Sequence, residues 1–184
     1  MFKGSRMIAA AVAALGLGIG SAVWATSAAS ASSAAPAVLQ CTTSQLAVWV
    51  YNNPGGGAAG SFDLPIGFTN ISHRPCFLVG YPGISALSSN GTQLGSAGGR
   101  DPGTPSKVIT IAAGGTANAN MRLTDVFNFP PNVCKPTTAA QLRVYPPNSK
   151  TALTAFFSVS VCAKKGPIYL HVQRVQAGTP NPGE

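Results

Sequence analysis

Between residues 62 and 70 every second side chain is large and apolar: Phe62, Leu64, Ile66 and Phe68 alternate with Asp63, Pro65, Gly67 and Thr69. A period of two gives a strand with one buried and one outward face. The run ends at Asn70, turns through Ser72, His73 and Pro75, resumes at Cys76 and is closed by Gly80-Tyr81-Pro82-Gly83. The residue before a proline is pushed to extended geometry, and glycine tolerates the turn that follows. Pro65 has no N–H to give to a ladder, so its strand is expected at a sheet edge or with a bulge at that residue.

Short runs of this kind recur along the chain. Residues 46–51 (LAVWVY) form a strand with Leu46, Val48 and Val50 on one face and Trp49 and Tyr51 on the other. Residues 84–87 and 92–94 flank Asn90-Gly91, the strongest short hairpin signal present. Residues 107–111 read as a strand, Ala113-Gly114-Gly115 as a turn, and 117–123 as the returning strand. A loop over 95–106 carries Arg100 and Asp101, and a proline-rich connection over 128–136 carries Cys134. Residues 142–145, 152–161 and 168–175 supply the last strands. Nowhere does an apolar period near 3.6 persist for three helical turns. Seven to nine short strands with Gly and Pro turns predict an all-β, antiparallel sandwich, with an eight-stranded closed barrel as the alternative.

The N-terminus belongs to a different category. Lys3 and Arg6 precede an apolar run over residues 7–25, and small residues follow at Ala29-Ser30-Ala31, the pattern of a secretory signal peptide spanning residues 1–31. A retained anchor helix is the other reading of so long an apolar run; Gly16, Gly18 and Gly20 favour cleavage. Residues 32–40 form an Ala/Ser/Pro lead with little to bury, and 176–184 a disordered tail. The span 41–175 is then one domain, which buries roughly two thirds of its unfolded surface.

The four cysteines, Cys41, Cys76, Cys134 and Cys162, all lie in the exported part, where disulfides are the default. Four cysteines allow three pairings, and sequence alone does not choose among them. The expectation is Cys41 with Cys76 and Cys134 with Cys162, since each pair ties neighbouring segments.

Loss of Lys3 and Arg6 leaves ten cations against four carboxylates, a net charge of +6. The cations are scattered and form no run longer than Lys164-Lys165. Such a balance speaks to attraction for polyanions, here envelope polymers and lipid headgroups, and not to fold. Nucleic acid is excluded as a partner for want of a basic stripe or a stacking module.

Constellations that carry chemistry are scarce. Residues 52–61 (NNPGGGAAGS) lack the lysine of a phosphate loop, and no Gly-x-Ser-x-Gly elbow or Cys-x-x-Cys pair occurs. No catalytic residue, metal ligand or cofactor is assigned. Asp63, Asp101 and Asp125 are the carboxylates outside the tail, with His73 read as a polar turn residue and His171 as an outward strand residue. Candidate binding residues are Trp49, Tyr51, Tyr81 and Arg100: aromatic rings stack on sugars or anchor partners, and an arginine grips an anionic group. Against this, Trp49 is expected to pack across the sandwich core and Arg100 to be a solvated loop charge.

The order of features resembles the secreted actinobacterial family known as domain of unknown function 4232. The resemblance rests on Cys41, the strand at 46–51, Gly60, Phe68-Thr69-Asn70, Cys76-Phe77-Leu78, the Gly80-Tyr81-Pro82-Gly83 block, Asn90-Gly91, Cys134, Val144-Tyr145-Pro146-Pro147 and Cys162. It implies an exported immunoglobulin-like sandwich and carries no established activity. This chain has no lipid-attachment cysteine close behind the apolar run, which sets it apart from anchored members. Two functions from different classes follow as expectations: a non-enzymatic binding or structural module at the bacterial cell envelope, or a secreted hydrolase built on Asp63, Asp101 and His73. The expected partners are anionic envelope polymers or another secreted protein, with no membrane span after cleavage.

Overall fold

A computed structural model describes residues 37–51, 57–103 and 105–179. The expected signal peptide, most of the lead, the glycine-rich 52–56 and residues 180–184 lie outside them. In chain order the strands are β1 (Leu39–Gln40), β2 (Leu46–Val50), β3 (Ser61–Asn70), β4 (Cys76–Leu78), β5 (Gly83–Leu87), β6 (Gln93–Leu94), β7 (Gly99–Arg100) and β8 (Ile109–Ile111). After them come β9 (Thr116–Thr124), β10 (Pro136–Thr138), β11 (Gln141–Tyr145), β12 (Leu153–Phe156), β13 (Ser160–Cys162), β14 (Leu170–Val172) and β15 (Gln176–Ala177). A single helical turn, α1 (Pro131–Cys134), sits in the proline-rich connection, where Lys135 closes it in the left-handed region at φ 53°. There are more strands than the alternating runs suggest because two- and three-residue segments join the long ones.

The protein is an all-β sandwich. One sheet runs β2-β3-β9-β14-β7 with β15 also on β9; the other runs β12-β11-β5-β6. Two small sheets, β1-β4-β8 and β10-β13, complete it. The pairings are antiparallel except β1 with β4 and β7 with β14. Between the layers lie Ile66, Phe68 and Met121 from the first sheet and Ile84, Leu142 and Val144 from the second, each at most 2% exposed. Alternation therefore places the core as period two requires. Among the described residues no helix is long and apolar enough to cross a membrane.

The disulfides join Cys41 to Cys76 and Cys134 to Cys162. The first fastens the start of the domain beside the β1/β4 pairing, and the second links α1 to β13. Two disulfides fit an oxidising, extracytoplasmic setting.

Several local expectations are corrected. Pro65 lies neither in an edge strand nor at a bulge: β3 is interior, and its register with β9 is unbroken from Ser61 to Thr69. Its carbonyl accepts from the Tyr51 amide at 2.9 Å, just past the last residue of β2. A strand residue turns its N–H and C=O to the same side, so the missing donor falls where the β2 ladder has already run out. Residues 107–111 do not form a hairpin with the strand after them, since β8 pairs with β4 while β9 pairs with β3. Leu39–Gln40, expected in a flexible lead, pair with Cys76 and Phe77. Gln176–Ala177, expected in a disordered tail, pair with Asn118 and Ala117. In both cases a neighbouring strand had open backbone groups to satisfy, which composition does not reveal.

Candidate functional site

The outward face of the β2-β3-β9-β14 sheet is where alternation delivers the side chains that are not core. Strand pairing sorts them into rows. Trp49, Gly67, Asn118 and Gln176 stand opposite one another across β2, β3, β9 and β15. Pro65 and Asn120 form the next row, with Tyr51 bonded to Pro65 at its end. Asp63, Arg122 and His171 form the third.

Trp49 does not pack across the core. Its indole lies on the buried backbone of Gly67, where a Cβ would stand 2.2 Å from the ring, and its Nε1 donates to Thr69 Oγ1 at 3.2 Å. Glycine at 67 makes the seat for the ring, and an outward position on β2 leaves that seat as its closest apolar surface. Trp49 and Tyr51 are both half-buried.

The third row is ionic. Arg122 donates through Nε to Asp63 Oδ1 at 3.0 Å and through a terminal nitrogen to Oδ2 at 3.4 Å. The Asp63 hydrogen bond and then its charge raise the Arg122 pKa further above its usual value. His171 Nδ1 lies 3.0 Å from Asp101 Oδ1. The third described carboxylate, Asp125, accepts from the Phe127 amide at 3.0 Å and caps a short 3-10 turn. His73 is exposed in the turn after β3. Seven strand residues, roughly 23 Å at about 3.3 Å each, separate Asp63 from Asn70. Asp63, Asp101 and His73 therefore do not converge; the histidine beside Asp101 is His171.

Tyr81 and Arg100 form a separate pair, with the guanidinium carbon 6.0 Å from the ring centroid. Arg100 is not on a loop: it closes β7 opposite Val172 of β14. Four strand spacings of about 4.8 Å separate β7 from β2. Trp49 with Tyr51 and Tyr81 with Arg100 thus occupy opposite ends of one sheet.

Two of the recesses among the described residues border the β3-β9 pair. One, of about 340 Å³, is apolar and is lined by Phe62, Leu64, Leu123, Val126 and Phe127. The other, of about 310 Å³, lies on the outward sheet face and is lined by Pro65, Asn118, Asn120, Gln173, Gln176 and Thr179. It was not legible in the sequence because its amides come from β9, from β15 and from the segment joining β14 to β15. That segment is a bulge: residues 173–175 stand against residues 119 and 120 alone, between the pairs Val172/Met121 and Gln176/Asn118. The Gln173 amide donates to the Asn120 carbonyl, whereas the Val175 amide leaves β9 and donates to Gly80. No group of three or more His, Cys, Asp or Glu side chains among the described residues is placed to hold a metal ion.

No curated protein matches the chain. The family model described as a domain of unknown function, DUF4232, matches residues 41–178, from the first cysteine to just past β15. That span includes both disulfides and every row of the outward face, and with it the chain belongs to the DUF4232 family.

Proposed function

We propose that this protein is an exported, non-enzymatic binding module at the bacterial cell envelope, its partner an envelope polymer or another secreted protein. The observation that carries the reading is the outward sheet face, where Trp49, Tyr51 and a recess of amide side chains share adjacent rows on a disulfide-tied scaffold. Binding sites pair apolar surface with a few well-placed polar groups, and this face holds both. The N-terminal signal pattern and the two disulfides support export. Exposed cations at Arg74, Lys107, Lys135, Lys150, Lys164 and Lys165 add a diffuse attraction for anionic polymers that salt screens.

The test is capture of envelope fractions by the immobilised protein at low and high salt. Retention of a defined component is expected, with its diffuse electrostatic part lost at high salt. A protein that retains nothing from walls, anionic vesicles or whole cells at either salt concentration overturns the reading.

A further inference from the structure

We propose that the recess beside the β14–β15 bulge is a binding site for a neutral, hydroxyl-rich ligand, one ring of an uncharged polysaccharide. The inference rests on the binding-module reading and names its ligand class. Four of the lining side chains, Asn118, Asn120, Gln173 and Gln176, are primary amides, and none is ionisable. Each amide presents two donors and one acceptor side by side. That set matches adjacent hydroxyls, which also donate and accept, and it offers an anion no countercharge. The basic side chains of the protein therefore do not select this ligand.

One of the four amides, Asn118, is held by a side-chain hydrogen bond. Asn118 Nδ2 donates to the Gly178 carbonyl at 3.0 Å, which fixes its orientation, and the Asn120 backbone carbonyl accepts from Gln173. The side-chain oxygen of Asn120 is shielded, yet it has no hydrogen-bond partner among the described residues. An acceptor in that state gains a bond when the amide turns toward an incoming hydroxyl. Gln173 keeps the outward face that alternation after His171 and Val172 gives it, and the extra residue of the bulge returns Gln176 to the same face.

The neighbouring rows extend the site. Pro65 forms part of the recess wall, and Trp49 stands in the Asn118 row two strands away. A ring seated among the amides directs the next unit of a chain toward the indole, whose face suits the C–H surface of a sugar. The volume of about 310 Å³ is at the small end for ligand sites, which admits one ring at a time. An extended peptide fits less well, because β9 is paired on both sides here and has no free edge for strand addition.

The test is a nitrogen–proton correlation titration of the full-chain protein, used as recovered from an exporting host. The probes are cellohexaose, maltohexaose, mannohexaose and chitohexaose, with polyglycerol phosphate as an anionic arm. Saturable shifts of the Asn118, Asn120, Gln173 and Gln176 side-chain amides and of the Trp49 indole with at least one neutral glycan are expected. Asn120→Ala with Gln173→Ala should weaken that affinity at least about tenfold; Gln176→Ala, at an exposed position, guards against a folding artefact. Absence of shifts at these groups with every neutral glycan at millimolar concentration overturns the inference, as does affinity unchanged in both variants. Should the double variant still capture the envelope component held by the unmodified protein, the site fails while the binding-module reading stands. Failure of the unmodified protein to capture anything removes both.

Discussion

Trp49 lies directly on Gly67: a Cβ at residue 67 would stand within 2.2 Å of the indole. Gly67→Ala must therefore displace the ring or part β2 from β3. Overpacking of this kind costs about 1–3 kcal/mol. Urea unfolding should show that loss, and the Trp49 emission should shift to the red in the folded variant as the ring leaves its seat.

Asn70 is buried, and its side chain holds the turn that leads to Cys76. Its Nδ2 donates to the carbonyls of Arg74 at 2.8 Å and Ile111 at 3.1 Å, and its Oδ1 accepts from the Ser72 amide. Asn70→Ala should destabilise the protein by at least about 1–3 kcal/mol, the cost of a shielded group left unpaired. His73→Ala, exposed in the same turn, should stay within about 0.5 kcal/mol of the parent. Chemical denaturation of both variants checks the contrast, which would be lost if His73 carried structure.

Each disulfide should contribute roughly 3–4 kcal/mol under the chain-entropy model, with closed loops of 35 and 28 residues in sequence separation. Non-reducing peptide mapping should recover Cys41 with Cys76 and Cys134 with Cys162. The paired replacements Cys41→Ala with Cys76→Ala, and Cys134→Ala with Cys162→Ala, should each lower the denaturation midpoint by a comparable amount.

Tyr169 is fully buried, and its hydroxyl donates to the Leu94 carbonyl at 3.1 Å. Burial raises its pKa above the ordinary tyrosine value. The folded state therefore favours the neutral phenol, and that stabilisation is complete below about pH 10 and is lost as pH rises above it. Stability should fall in alkali by up to about 1.4 kcal/mol per pH unit from this group. Tyr169→Phe should remove that component of the slope and cost about 1–3 kcal/mol at neutral pH, through the orphaned carbonyl. Urea titrations at neutral and alkaline pH separate the two effects.

The sandwich was legible in the chain because alternation at residues 62–70 and 117–123 is a local property. Each strand carries its own two faces, and burial follows the apolar one from Leu64 to Phe68 and from Ala117 to Leu123, with Phe62 alone of these apolar side chains left exposed. The Asn70 turn and the closing glycines were legible for the same reason. Pairing was not. That β8 joins β4 and not β9, or that Gln176–Ala177 join β9, depends on which backbone edges remain open once the longer strands are placed.

The candidate site divides along the same line. The sequence by itself determined that Trp49 and Tyr51 share a strand face, and that Pro65, Asn118 and Asn120 occupy the non-core positions of their strands, because period two is written residue by residue. Only the tertiary structure decided that this face turns outward with the indole laid on Gly67, and that His171 meets Asp101. It alone gathered four amides into one recess through a bulge. Those relations join residues from 18 (Trp49 with Gly67) to 70 (Asp101 with His171) positions apart, and they exist only when the register between distant strands has been set by their shared core.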